Sequence, residues 1–87
     1  MCTYATVQTQ LTGSAKGPGS QWFRLADTTV YFDHPVHALA EHTLNIDFAV
    51  PTATGQRVAL ELTAASAREL MAAIQAALDS APAELTG

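Results

Sequence analysis

Charge is scarce in this 87-residue chain: charged residues make up 14% of it, and only Lys16, Arg24, Arg57 and Arg68 are cationic. An ordinary soluble domain carries roughly 25%. With a formal net charge of −4, the chain has no basic stripe with which to follow a phosphate backbone, which excludes nucleic acid as a partner. The same shortage excludes an anionic membrane surface. Cysteine is nearly absent too. The single Cys2 cannot close an internal disulfide, which is the usage of a reducing compartment. The sequence opens without a basic-then-apolar leader, and no apolar run approaches the roughly 20 residues of a membrane span. The expectation is a cytoplasmic protein. With so few charges, the surface must be covered largely by Thr, Gln, Ser and Ala. A small domain with that surface is expected to bury part of it against further copies of itself, as a homo-oligomer. A monomer whose composition is simply rich in Ala and Thr is the alternative.

Hydrophobic residues are present in quantity, at 48%, and their spacing predicts the elements. From Thr3 to Thr12, Ala5, Val7 and Leu11 alternate with Tyr4, Thr6, Gln8 and Gln10, the period of two that marks a half-buried strand. Gly17-Pro18-Gly19 places a turn between Gly13 and Ser20. Trp22 to Phe32 reads as a second strand, apolar on both sides and therefore central or covered by a neighbouring subunit. Leu44, Ile46, Phe48 and Val50 alternate with Thr43, Asn45 and Asp47 in a third. Pro51 to Gln56 is a turn, and Arg57 to Leu62 a fourth strand. Thr63 is placed to cap a helix running to about Asp79. Ala67, Leu70, Met71, Ile74, Ala77 and Leu78 form one stripe along it, read as core, Met71 included. The expected fold is α+β: a four-stranded antiparallel meander followed by one helix across one face (ββββα). Residues 1–80 form the single domain and 81–87 a flexible tail. Strands joined by short turns pair with their sequence neighbours. The helix is then expected over the side of Leu44, Val58 and Leu60, leaving Tyr4, Thr6, Gln8, Asn45, Asp47 and Glu61 on a polar face. That face offers a floor for a small molecule.

All three histidines, His34, His37 and His42, fall in one stretch. Imidazole is the commonest metal ligand and titrates near neutral pH. His34 and His37 are three apart across the turn made by Pro35, and His42 enters from the next strand. In an antiparallel meander the start of strand one lies beside the end of strand two, so Cys2 is expected at the same sheet edge. Three imidazoles and a thiolate suffice for a four-coordinate site. Asp33 and Glu41 flank the set and would hold imidazole tautomers from behind, or ligate directly. Zinc is the default ion; copper, nickel and iron suit the same nitrogen and sulfur donors. Two other arrangements answer the same residues. The histidines can cap a turn and bond its carbonyls and carboxylates. One of them, beside Asp33 or Glu41, can carry protons in a metal-free isomerase or cyclase acting on a small metabolite. Cys2 can equally be a small buried apolar residue.

Met1-Cys2-Thr3-Tyr4 and Leu11-Thr12-Gly13-Ser14-Ala15-Lys16-Gly17 resemble the opening of a family of small bacterial proteins that carries only a domain-of-unknown-function label. So do Val30-Tyr31-Phe32-Asp33-His34-Pro35-Val36-His37-Ala38, Glu41-His42-Thr43-Leu44-Asn45-Ile46-Asp47-Phe48 and Val58-Ala59-Leu60-Glu61-Leu62-Thr63. The resemblance covers nearly everything but the tail and implies a bacterial, non-secreted protein. It transfers no catalytic residue. Three functions therefore stand open: a metal-binding protein, a metal-free enzyme, and a non-catalytic homo-oligomeric binding module.

Overall fold

A computed structural model describes residues 4–37, 39–49 and 58–87. Cys2, Thr3, Val50, the Pro51–Gln56 turn and Arg57 lie outside the described residues. The chain is an α+β fold built on a four-stranded antiparallel sheet in the order β1-β4-β5-β6. Its strands are β1 (Thr6–Gln10), β4 (Asp27–Asp33), β5 (Thr43–Phe48) and β6 (Val58–Leu62). A two-stranded ribbon, β2 (Ser14–Lys16) with β3 (Trp22–Arg24), forms a second sheet. Helix α1 spans Ala64–Ser80, and one further helical turn, α2, spans Ala83–Thr86.

The ribbon is where the structure departs from the sequence pattern. The expected strand from Trp22 to Phe32 is interrupted at Leu25 and Ala26, and the expected Gly13–Ser20 turn contains β2. Register explains both. Gln10 faces Asp27 and Ser14 faces Arg24, so four steps on one arm match three on the other. One extra residue in one strand bends the ladder and increases its twist, which detaches the ribbon as a sheet of its own. Two backbone bonds bridge the step, from the Leu11 amide to the Ala26 carbonyl (3.0 Å) and from the Leu25 amide to the Gly13 carbonyl (2.9 Å). The Gly17-Pro18-Gly19 turn is confined to the tip, where the Lys16 ammonium lies 6.0 Å from the centre of the Trp22 ring.

Pairing fixes the faces of the main sheet. Val7↔Val30, Val30↔Ile46, Phe32↔Leu44, Ile46↔Leu60, Leu44↔Leu62 and Phe48↔Val58 share one side. Side chains alternate across a strand, so Thr6, Thr29, Tyr31, Asn45, Asp47, Ala59 and Glu61 share the other. Thr63 accepts the Ser66 amide on its side-chain oxygen at 3.1 Å, as the cap position requires. The helix stops at Ser80, where the Ala81 amide bonds the Leu78 carbonyl and Pro82 cannot extend the ladder.

Helix α1 borders the apolar face near its own start. There Ala64, Ala67, Arg68 and Met71 edge a groove with Phe32 and Leu44. Coverage ends short of Leu60, which stays exposed, and Met71 is 70% exposed, where the stripe had read as core. Among the described residues no hydrophobic side chain is fully buried, and the buried ones are Thr28, Thr43 and Asn45. The chain is correspondingly extended. Its radius of gyration is 14.6 Å, against about 12 Å for a compact domain of this length.

Candidate functional site

The segment between β4 and β5 carries the histidines, and the sheet splits them. His34 and His42 directly follow and precede the facing pair Asp33↔Thr43, so they fall on the side of Phe32 and Leu44. Their rings stack with centroids 4.5 Å apart and planes at 28°. Phe32 continues the stack on His42 at 5.7 Å and 12°, and Tyr4 tilts against both Phe32 (6.0 Å) and His42 (6.1 Å). Tyr4 thus leaves the polar face on which strand alternation had placed it. It reaches this edge because its amide bonds the Phe32 carbonyl at 3.4 Å.

His34 Nδ1 lies 2.9 Å from the Glu41 carbonyl. A carbonyl only accepts, so Nδ1 carries the proton, and in the neutral ring Nε2 keeps its lone pair. The His34 amide donates to the Asp33 carboxylate at 2.7 Å. Asp33 thus accepts the amide that opens the turn, and the Glu41 backbone carbonyl meets the His34 ring. His42 Nε2 is buried with no hydrogen-bond partner among the described residues. The structure thus brings two of the three histidines together, next to the residue two places after Cys2. Among the described residues, no group of three or more His, Cys, Asp and Glu is arranged to hold a metal ion.

His37 goes to the opposite side. The Glu61 carboxylate on β6 accepts the backbone amides of both Val36 and His37, the latter at 2.9 Å. This clamp folds the segment after Pro35 over the polar face of the sheet. The result is a cavity of about 620 Å³ lined by Tyr31, Val36, His37, Asn45, Asp47, Ala59 and Glu61 among others. Beside it, Thr43 donates its hydroxyl to Asn45 Oδ1 at 2.7 Å, with both residues buried. His37 is thus placed on the rim of this cavity. Tyr31 was not singled out in the sequence; it faces Asn45 across the ladder. Glu61 had been read as floor, and its loop-holding role follows only from long-range folding.

Among the described residues the lining joins the Asp47 and Glu61 carboxylates, the Tyr31 phenol, the Asn45 amide and the His37 imidazole to the apolar Val36, Ile46, Ala59 and Leu60. No helix among the described residues is long and apolar enough to cross a membrane.

No curated protein and no solved structure matches the chain. A model of one family, described as a family of unknown function (DUF6295), matches residues 1–87. The chain belongs to that family.

Proposed function

We propose that this family member is a binding module that takes a small, donor-rich polar molecule on the polar face of its sheet. The observation that carries the reading is the Glu61 clamp. One carboxylate holds two consecutive amides, Val36 and His37, and so folds a partial wall over an open sheet face, where the carboxylates of Asp47 and Glu61 favour hydrogen-bond donors. Holding a wall in place before a ligand arrives reduces the ordering cost of binding. Tyr31, Asn45 and Asp47 on adjacent strands supply a rigid floor, and strands position such groups better than loops do.

The test is an amide-shift titration of the full chain with small amines and polyols, and with organic phosphates as the opposing class. The reading expects saturable shifts at Val36, His37, Asn45 and Ala59 with the amines or polyols. Response to phosphates alone, shifts elsewhere, or no saturable response from any of these probes contradicts it.

A metal ion is the second reading, favoured by the 4.5 Å approach of the His34 and His42 rings. Those two imidazoles, with Cys2 as a thiolate, would hold zinc, or copper, nickel or iron. His37 enters this reading only if its loop leaves the Glu61 clamp. Elemental analysis of purified protein tests it, with His34→Ala and His42→Ala as comparisons. Stoichiometric metal lost in both variants supports the site. Metal-free protein after reconstitution, or undiminished loading in the variants, removes it.

A further inference from the structure

We infer that a second copy of this chain covers the apolar face of the sheet, and that helix α1 of each protomer lies on the sheet of its partner. This interface does not rest on the ligand reading, whose cavity opens on the opposite face and shares only Ile46 and Leu60 with it.

Two unpartnered apolar surfaces on one chain carry the inference. The first is the sheet face, where Val7 is 57% and Leu60 36% exposed beside Val30 and Ile46. Its paired positions from Val7 through Leu62 include no ionisable residue. The second is the outer run of the α1 stripe, with Met71 70%, Ile74 53% and Leu78 50% exposed. Ala67, Met71, Ile74 and Leu78 follow a 4-3-4 spacing and lie on one side of the helix. Glu69 and Ala76 lie on the other. Among the described residues these surfaces meet at the groove beside Phe32 and Leu44. Both are apolar, and reciprocal exchange covers both at once in a two-fold pair.

The area agrees. The chain exposes 6589 Å², whereas a folded monomer of its 9.2 kDa mass is expected to expose about 4,900 Å². The surplus is about 1,700 Å² per chain, so a pair that buried it would fall in the range of obligate dimers, roughly 2,000–5,000 Å² in total. The absence of a fully buried hydrophobic side chain among the described residues has the same explanation, because the core is shared between copies.

Light scattering on the full chain over a wide concentration range tests this, with three variants alongside. Wild type is expected at twice the 9.2 kDa of one chain. Ile74→Glu and Leu60→Glu place a charge on each of the two surfaces. Each is expected to raise the dissociation constant roughly 100-fold or more by burying an unpaired carboxylate. Ala76→Glu, on the back of α1, is expected to leave the mass unchanged. A single 9.2 kDa wild-type species throughout overturns the inference. So does an assembly indifferent to Ile74→Glu or to Leu60→Glu. Should a variant fail to fold, the wild-type mass still decides whether the copies associate.

Discussion

Replacing Glu61 by Gln isolates the contact that shapes the cavity. The carboxylate accepts from the Val36 and His37 amides, both donors. Gln keeps one acceptor oxygen and turns an NH2 toward the other amide, so one bond is lost and two donors oppose each other. Hydrogen bonds to a charged group contribute about 1.5–3 kcal/mol each. Val36 and His37 are exposed residues, so solvent competes and the lower figure applies. Amide exchange at Val36 and His37 should then accelerate roughly tenfold, because about 1.4 kcal/mol corresponds to a factor of ten. Amides of Ile46 and Tyr31, in the central strands, should change little, since the clamp is local. Hydrogen exchange followed by NMR reads all four sites in one sample. Unaltered exchange at both loop amides would refute the reasoning. Equal acceleration at the strand amides would refute it differently, by showing that Glu61 supports the whole sheet.

Three further substitutions test other contacts. Thr63→Ala removes the oxygen that receives the Ser66 amide and should lower stability in urea by about 1 kcal/mol; no change would mean that the cap contributes nothing. Thr43→Val keeps the shape but leaves buried Asn45 Oδ1 without its donor, so a loss of about 1–3 kcal/mol is expected by the same measurement. His42→Phe preserves the stack with Phe32 and His34 and removes the buried Nε2 that lacks a partner. In chelator-treated buffer it should raise stability by about 1 kcal/mol; a loss of that size would show that the imidazole has an essential partner.

The parts of the fold legible in the sequence are those set by local rules. The alternation of β5, the Thr63 cap and the single stripe of α1 all follow from periodicity and capping. The break at Leu25 and Ala26 does not, because an extra residue in one strand is visible only against the strand it faces. Ala83–Thr86 forms a helical turn within the segment read as a tail. The histidine cluster was legible as a cluster but not as two groups. Spacing along a turn says nothing of which face each ring joins. Parity sends His34 and His42 to the side of Phe32, and Glu61, far along the chain, draws His37 to the other. Scarcity of charge and the two-sided apolarity of Trp22 to Phe32 were the signals of a shared surface. The exposed Val7, Leu60, Ile74 and Leu78 mark where the inferred interface would lie.

The most direct measurement of the central claim, that the fold is completed by another copy, is an isotope-filtered NOE experiment on an equal mixture of labelled and unlabelled chains. Cross-peaks between chains should join the Ile74 and Leu78 methyls of one protomer to the Leu60 and Val7 methyls of the other. If those methyls show cross-peaks only within a single chain, or none to one another, each chain folds alone and the account is contradicted.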